Sequence, residues 1–332
     1  MGYEISVCVP VYNVEKYFGL CLQSLFTQTM LNGVEFIFVN DCTPDSSMDI
    51  LDHYLQKYPV VRDHVKIFKH EHNKGLAAAR NTAVHNATGE YLIHVDSDDW
   101  VEPNYLEELY KTITEHNADI AICNCSVIYA NGKTGSICQP FPPLEEHNAV
   151  SYTKLAFSNK IIPVLWTKLV RRKIYSENKI IWTEGINKGE DVITTLKLFS
   201  CSSKISYTQQ KLYNYRFQVG FTTKQATSAL IRQDIAVCNE IEAYFKEKSL
   251  YDQFKNEILA KQAMVRYNFI IHEKWFSFKK YKTLFPEVQL NNITLFQTTP
   301  RLRRQMFYFF VDKKLYFFAN LYLFILKKRI IT

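Results

Sequence analysis

The first hundred residues alternate short apolar runs with segments of helical periodicity, and this alternation limits the fold more than any other feature. The runs are rich in β-branched and aromatic residues, which predicts strands at residues 5–11, 34–40, 65–69 and 91–95. Helices are predicted between them, at residues 16–27, after Asp45 and at 76–86. Such spacing is typical of βαβ crossovers, so we expect an α/β fold with a mostly parallel sheet and helices on both faces.

The later part of the chain changes from a mixed to a helical pattern. The elements predicted there are a helix from Pro103 to about His116, a strand at 120–129 before an Asn131-Gly132 turn, a loop at 139–148, helices near Ser151 and Asp191, short strands around Ile205 and Leu212, an almost wholly helical region at 225–274, and a final helix at 301–329. Two structural units are therefore expected, the α/β part and a helical part.

The net charge of +7 looks at first like the mark of a nucleic-acid-binding protein. Residues 301–332 contain eight Lys or Arg and one acid, so this tail carries the whole excess and residues 1–300 are neutral. We therefore expect no nucleic-acid partner. The eight cysteines form no CxxC pair and lie mostly in apolar runs, and no signal-peptide pattern is visible, which favours a cytoplasmic protein.

Polar residues follow all four predicted strands of the first half. They are Asn13, Asp41, Asn73 and Asp96. Ligands of parallel sheets bind at the carboxyl ends of the strands, so we expect these side chains to line one site.

The fourth strand runs into an acidic cluster, Asp96-Ser97-Asp98-Asp99. Mg²⁺ and Mn²⁺ prefer oxygen ligands and are commonly held by one or two carboxylates together with substrate phosphates. The cluster thus fits a cation that faces a nucleoside diphosphate. The alternative is structural: Asp99 caps the helix that follows, and Asp96 and Asp98 are solvated turn residues.

Four motifs follow one another in this part of the chain: Ile5 to Asn13, Val39 to Ser47, Asn73 to Asn81, and Gly89-Glu90-Tyr91 leading into the acidic cluster. In both order and spacing they resemble the family 2 glycosyltransferases. The resemblance continues more loosely through Trp166 to Leu169, Gly189 to Asp191 and Tyr213 to Arg216, up to about Thr223. It implies a Rossmann-like GT-A fold, a nucleoside-diphosphate sugar donor, usually a UDP-sugar, and inversion at the anomeric carbon.

The resemblance also implies roles for individual residues on the donor side. Pro10 and Tyr12 would border the base, and Asp41 would accept a hydrogen bond from its imide. Arg80 would lie near the diphosphate and ribose. The remaining assignments are a ribose or metal-water contact for Asp96, a direct metal bond to Mn²⁺ or Mg²⁺ for Asp98, and further nucleotide-sugar contacts for Asn13, Asn73, Gly75 and Ser97. For Asn13, capping of the next helix is an equal alternative.

On the acceptor side, the family pattern makes Asp191 the general base and places Glu190 beside it. A carboxylate can remove the acceptor proton as the hydroxyl attacks. The alternative is that both acids only complement the positive end of the helix they begin. Trp166 and Lys168 are candidates for the acceptor side, with Trp166 as an ordinary core residue left open.

The chain departs from the family pattern in three places. Gly220-Phe221-Thr222-Thr223 stands where a Gly-Ser pair is expected, so either threonine is a candidate for a hydroxyl contact with the diphosphate. The turn at 41–45 lacks its usual glycine. No Gln-x-x-Arg-Trp motif of processive synthases is present, which favours addition of a single sugar.

The basic tail at 301–332 contains an uncharged run of twelve residues, 315–326. As a helix it would be about 18 Å long against a hydrocarbon core of roughly 30 Å, too short to span a membrane. Alternating aromatic and basic clusters favour a segment that lies on an anionic membrane surface. The alternative is a terminal helix that packs on residues 225–275.

We therefore expect a GT-A domain at 1–223, with a nucleotide-binding half at 1–110 and an acceptor-side half at 111–223, then a helical region at 224–300 and a membrane-surface tail at 301–332. The expected reaction is metal-dependent, inverting transfer of a hexose or related sugar to a glycan or lipid-linked acceptor, in bacterial surface polysaccharide synthesis at the inner face of the cytoplasmic membrane. The rivals are a nucleotidyltransferase, disfavoured because residues 9–15 contain no glycine, and a catalytically silent subunit that binds a sugar nucleotide or a glycan.

Overall fold

The computed structural model describes residues 2–139, 148–217, 228–272 and 283–288, together with 310, 315, 317–319, 321 and 322. Statements about structure refer to these residues. The chain divides into two compact units, Met1–Thr223 and Lys224–Thr332.

The first unit begins with the predicted alternation of strands and helices. Its elements are β1 (Ile5–Val11), α1 (Glu15–Phe26), β2 (Val34–Asn40), α2 (Ser47–Lys57), a short 3-10 helix (Pro59–His64), β3 (Val65–Lys69), α3 (Leu76–Asn86) and β4 (Tyr91–His94). All residues of β1, β2 and β4 are buried, as expected for parallel strands covered on both faces. The α/β alternation is confirmed.

The carboxyl ends of these strands meet at one edge of the sheet. β1 pairs in parallel with β2 and β4, and β2 pairs in parallel with β3. The register sets Val11 beside Asn40 and Asn40 beside Lys69. The residues that follow β1, β2, β3 and β4 therefore lie along the same edge, where the sequence places its candidate site.

The second half of the unit extends the sheet with strands of both directions. Its elements are β5 (Trp100–Val101), α4 (Tyr105–Glu115), β6 (Ile120–Tyr129), β7 (Thr134–Ile137), α5 (Ala149–Phe157), β8 (Lys168–Arg171), α6 (Lys173–Glu177), α7 (Glu190–Cys201) and β9 (Ile205–Phe217). The strand order is β3-β2-β1-β4-β8-β6-β9-β5, with β7 on β6. β8 is antiparallel to both β4 and β6, so the sheet is mixed beyond β4.

One prediction about this half is wrong. The two short strands expected near Ile205 and Leu212 are a single strand, β9, because it pairs with β6 along its length around an irregularity at Asn124. The Asn124 side chain donates to the Gln209 carbonyl at this point, 2.9 Å away. The polar stretch around Gln209 is the part of the strand where the ladder shifts register.

The second unit contains two long helices, α8 (Ser228–Glu247) and α9 (Tyr251–His272). Their apolar residues pack with Phe285 and Val288. Arg266 donates to the carbonyls of these two residues, at 3.2 and 3.0 Å. Nearly all of the predicted tail helix, and Thr222 and Thr223, lie outside the described residues. Within the part of the chain that is described, no helix is long and apolar enough to cross a membrane.

A buried carboxylate, Glu35 on β2, joins the strands at the opposite edge of the sheet. It accepts from the Ser6 hydroxyl at 2.6 Å and from the Thr88 N–H and hydroxyl at 2.6 and 2.8 Å, and it pairs with Lys66 at 2.6 Å. Burial alone would raise the pKa of Glu35, but the bonds from Lys66, Ser6 and Thr88 outweigh it and hold the pKa below its usual value. Glu35 thus connects β1, β2, β3 and the turn before β4.

We expect Glu35→Gln to lower the free energy of unfolding by about 2 kcal/mol or more, because an amide cannot pair with Lys66 and would turn a donor toward other donors. The exposed Glu90→Gln, which loses an ion pair with Arg171, should cost less than about 1 kcal/mol. Urea unfolding followed by circular dichroism measures both.

The Glu35 contribution should depend on pH in a definite direction. Since its pKa is lower in the folded state, the stabilisation is full above the ordinary glutamate pKa and is lost as pH falls through the folded-state pKa. The gap between wild type and Glu35→Gln should close on acidification. If Glu35→Gln and Glu90→Gln lost equal amounts of unfolding free energy at neutral pH, the stabilising role of Glu35 would be contradicted.

Candidate active site

The side chain of Arg80 on α3 is enclosed by three carboxylates at the carboxyl edge of the sheet. Its Nη1 atom donates to Asp191 Oδ1 at 2.5 Å and to Glu190 Oε1 at 3.3 Å, and its Nη2 atom donates to Asp96 Oδ1 at 3.2 Å. Arg80 is only 1% exposed. The structure therefore brings together four of the charged residues that the sequence analysis assigned to the donor and acceptor sides: Arg80, Asp96, Glu190 and Asp191.

Three acids around one guanidinium leave the cluster with a negative formal charge. Burial raises the pKa of Asp191 above its ordinary range; Arg80 opposes this shift, while the charges of Glu190 and Asp96 add to it. Burial would lower the pKa of Arg80, but Asp191, Asp96 and Glu190 outweigh it and raise the pKa further, so the guanidinium stays charged. Asp191 is thus a carboxylate whose basicity is increased by its surroundings.

Glu190 and Asp191 occupy the first turn of α7, directly after Gly189. Gly189 has a φ of 82°, in the left-handed region that favours glycine, and its carbonyl accepts from Val192 and Ile193. Both acids lie where the helix dipole stabilises negative charge. The helix-terminal alternative and a catalytic position are therefore compatible, because the same turn that favours the acids also aims them at Arg80.

The acidic loop after β4 is held in place by β9. The Tyr213 hydroxyl accepts from the Asp96 N–H at 3.2 Å and donates to Asp99 Oδ2 at 2.9 Å. Asp99 Oδ1 accepts from the Arg216 N–H at 2.7 Å, and Arg216 Nε donates to the Asp98 carbonyl at 2.9 Å. These bonds fix the loop from a strand more than a hundred residues further along the chain.

The alternative that Asp99 caps the next helix is wrong. The helix α4 begins after Asn104, and both oxygens of Asp99 bind β9 instead. Burial, then the charges of Asp98 and Asp96, raise the pKa of Asp99. Asp99 therefore positions the loop and does not face the solvent.

Asp98 is the carboxylate of this loop that best suits a metal ion. Burial and the charge of Asp96 raise the pKa of Asp98 to about 6, with only partial relief from Arg216. A divalent cation would compensate this negative charge. No group of three or more His, Cys, Asp or Glu side chains suited to a metal occurs among the described residues. Asp98 with Asp96 thus fits a cation that takes one or two protein carboxylates and the remaining oxygens from a diphosphate.

Asp41, after β2, lies in a separate group of contacts at the same edge of the sheet. Its carboxylate accepts from the N–H groups of Lys74 and Gly75, both at 2.8 Å, and contacts His70 Nδ1 at 2.6 Å. Gly75 has a φ of 85°, so a glycine is needed for this turn. Asn73, which precedes the turn, is exposed.

Pro10, Tyr12 and Asn13 follow each other at the end of β1. Pro10 is buried, and Tyr12 is 47% exposed, so its ring is accessible to a ligand. Asn13 has a φ of 54° and does not cap α1. That alternative is wrong because the Asp45 loop binds the N–H groups there: Asp45 accepts from Glu15 at 2.8 Å and Ser47 from Val14 at 3.3 Å.

In the turn at 41–45, which lacks the usual glycine, Cys42 takes the left-handed backbone conformation. It has a φ of 57°, in the left-handed region that glycine adopts at little cost. The neighbouring residues hold the turn: Thr43 N–H donates to Asn40 and the Thr43 hydroxyl to Asp45, at 2.8 and 2.6 Å. The turn at 41–45 thus contains a left-handed residue that is not glycine, held by side-chain hydrogen bonds of its neighbours.

The two acceptor-side candidates are both buried. Trp166 stacks on Tyr213, with ring centroids 4.2 Å apart, and on Tyr215 at 5.6 Å. The Lys168 ammonium donates to the carbonyls of Ile162 and Val164 and to the Thr167 hydroxyl, at 2.9, 2.6 and 3.1 Å. Burial lowers the pKa of Lys168 to about 7 although Asp191 opposes the shift. These positions favour support of the site over direct contact with an acceptor.

Asn81 was not among the predicted site residues. Its side chain exchanges two hydrogen bonds with the backbone of Trp182, Nδ2 to the carbonyl at 2.9 Å and the N–H to Oδ1 at 2.8 Å. It thereby ties α3 to the segment that leads to Glu190. Its partner is a backbone group 101 residues away, so no local sequence pattern predicts the contact. The signal that could have indicated Asn81 is its position directly after Arg80.

Comparison with known proteins identifies the family of the chain. The sequence model of the family described as "Glycosyl transferase family 2" matches residues 6–178. The chain is 30% identical over 259 residues to EpsH of Bacillus subtilis, covering 76% of this chain and 72% of EpsH. It is 33% identical over 228 residues to the glycosyltransferase GlyA of Streptococcus pneumoniae, covering 65% of this chain but only 31% of GlyA.

The fold is shared with solved structures of low sequence identity. Staphylococcus aureus TarS 1–349 in complex with UDP-GlcNAc superimposes with a TM-score of 0.71 at 21% identity, covering 98% of this chain and 90% of that one. The mannosyltransferase PcManGT of Pyrobaculum calidifontis, in complex with GDP-Man and Mn²⁺, gives a TM-score of 0.53 at 13% identity, covering 98% and 86%. The match to the family over more than half of the chain establishes that this protein belongs to glycosyltransferase family 2 and is a glycosyltransferase with a GT-A fold.

Proposed function

We propose that this protein transfers a sugar, with inversion and with the help of a divalent metal ion, from a UDP-sugar to a hydroxyl group of a glycan or a lipid-linked saccharide. The observation that carries the proposal is the contact of Arg80 with Asp96 on one side and with Glu190 and Asp191 on the other. A donor-side carboxylate and a candidate base are thereby fixed against one cation, as a single displacement requires.

A nucleoside-diphosphate donor is supported by the edge of the sheet and by the structural relatives. Asp41, Tyr12 and the turn at 73–75 lie at the carboxyl edge of the sheet and offer an acceptor and an exposed ring, which supports this edge as the site of the base and ribose. TarS has been solved with UDP-GlcNAc and with UDP, and PcManGT with GDP-Man. Uridine is our choice among the bases because the better superposition is with the UDP-GlcNAc complex.

Mn²⁺ or Mg²⁺ would be held by Asp98, with Asp96 as a direct or water-mediated partner. When bound, the cation supplies positive charge against the departing diphosphate. Arg80 keeps Asp96 in a fixed orientation through its Nη2 bond. β9 keeps the whole loop in place through Tyr213 and Arg216.

Asp191 would accept the proton of the attacking hydroxyl. Its raised pKa makes it a stronger base than a solvated aspartate, while Arg80 favours its ionised form. Glu190 binds the same guanidinium and adds to the basicity of Asp191. Attack in one displacement gives inversion and needs no covalent intermediate.

The setting we propose is the synthesis of a bacterial surface polysaccharide such as a capsule, O-antigen or lipooligosaccharide. Relatives include a poly(ribitol-phosphate) beta-glucosyltransferase of Bacillus spizizenii, 33% identical over 213 residues. The basic tail at 301–332 would hold the protein against the cytoplasmic membrane, close to a lipid-linked acceptor.

We expect Asp191→Asn to lower kcat by about 10²-fold or more, since it removes the base, while binding of the nucleotide changes less than about threefold. Release of the nucleoside diphosphate from the donor measures the rate, and calorimetry measures binding. Glu177→Gln, an exposed acid on α6, is the control and should behave as wild type. Transfer by Asp191→Asn at the wild-type rate would refute the base assignment.

The pH profile should follow the titration of Asp191. Its pKa is raised in the enzyme and the ionised form is the base, so kcat should fall on the acid side at a pH well above the ordinary aspartate range. Glu190→Gln removes a negative charge that raises this pKa, so the acid limb should move to lower pH. A limb that stays in place or moves upward would contradict this electrostatic account.

Asp98→Asn should raise the Mn²⁺ or Mg²⁺ concentration needed for half-maximal transfer by about tenfold or more, because it removes the proposed ligand charge. Thermal melting with UDP, GDP, CDP and dTDP sugars, each with and without Mn²⁺, tests the donor as well. A ligand that binds only the native state must raise its stability. Failure of every donor to stabilise the protein would refute the proposed function.

A further inference from the structure

His70 is a buried histidine to which the mechanism above gives no role. It directly follows β3, and its backbone N–H donates to the Asn40 carbonyl at 2.9 Å. Its ring contacts polar groups at both nitrogens: Nδ1 lies 2.6 Å from Asp41 Oδ1, and Nε2 lies 2.9 Å from the Thr82 hydroxyl. The three side chains come from the end of β2, the end of β3 and the helix α3, so they form one chain of hydrogen bonds across the nucleotide side of the sheet.

The direction of these bonds follows from the other contacts of Asp41. The N–H groups of Lys74 and Gly75 can only donate, so both oxygens of the Asp41 carboxylate act as acceptors. The contact with His70 then has the ring as donor, through Nδ1–H. The contact of Nε2 with the Thr82 hydroxyl on the other side of the ring fixes the ring orientation.

The bonds are distributed unequally over the two oxygens of Asp41. Oδ1 accepts from both His70 and Lys74, which uses its two acceptor positions. Oδ2 accepts from Gly75. Within the described residues this leaves Oδ2 with one acceptor position, and His70 is the one side chain among the three donors that hold the carboxylate in its rotation.

We infer that His70, supported by Thr82, is a positioning residue that orients Asp41 Oδ2 to accept a ring N–H of the nucleobase, and thereby selects uracil, thymine or guanine over cytosine. Uracil, thymine and guanine carry such an N–H on their pairing edge, and cytosine has an acceptor in that place. The inference rests on the proposed function, because it assumes that a nucleoside diphosphate binds beside Asp41. It adds the residues that determine which bases are accepted.

The test is calorimetric binding of UDP, dTDP, GDP and CDP, each with Mn²⁺, to wild type and to variants of the full chain. His70→Phe keeps the ring but has no donor, and should weaken the preferred diphosphate by about tenfold or more while CDP changes less than about twofold. His70→Asn offers an amide N–H near the Nδ1 position and should restore binding to within about threefold of wild type. Thr82→Val should give an intermediate loss.

The exposed His85→Phe on α3 is the matched control and should bind as wild type. Melting temperature and circular dichroism identify any variant that fails to fold; Thr82→Val and His70→Asn then carry the test. Equal weakening of all four diphosphates in folded His70→Phe, unchanged binding in it, or no recovery in His70→Asn would overturn the inference.

The wild type separates this inference from the proposed function. Binding of all four diphosphates with equal affinity would overturn the role of His70 and leave sugar transfer intact. Binding of none of them would refute the proposed function itself.

Discussion

The rest of the site depends on the ion pairs between the buried guanidinium of Arg80 and three carboxylates. A charged side chain that is almost fully buried is stable only with close partners of opposite charge. Here the partners are Asp96 in the loop after β4, and Glu190 and Asp191 in the first turn of α7, more than ninety residues further along the chain. The same contacts that satisfy the buried cation also bring the acidic loop after β4 and the first turn of α7 to a common centre.

Arg80 can bind all three carboxylates because the sheet and its connections hold the segments that carry them in position. The parallel register of β1, β2, β3 and β4 places their carboxyl ends along one edge. β9 holds the acidic loop through hydrogen bonds of Tyr213 and Arg216. Trp166 stacks on the ring of Tyr213 and thereby packs against that strand. Asn81 holds the segment before α7 against α3. Catalysis by preorganised charges requires such support, since a loop free to rotate would lose the geometry.

The first half of the fold could be predicted because its signals are local. Buried parallel strands are continuous apolar runs, and the predicted bounds of β1, β2, β3 and α3 agree with the structure. The strands of the second half are harder to predict from the sequence. β8 has four residues and β5 has two, too few for a period to show, and the register shift in β9 is caused by its pairing with β6 and has no counterpart in its own sequence.

The sequence alone determined which chemical groups are available to the site, because residue type and spacing are local properties: Asp41, Arg80, Asp96, Asp98 and the Glu190-Asp191 pair are all visible in the motifs. Only the tertiary structure decided what each of them contacts. In the folded protein Arg80 binds Asp191, and both oxygens of Asp99 bind β9. Trp166 and Lys168 are buried, and His70 contacts Asp41. These outcomes depend on pairs of residues distant in the chain, and such pairs are set by strand order and packing, which no local pattern encodes.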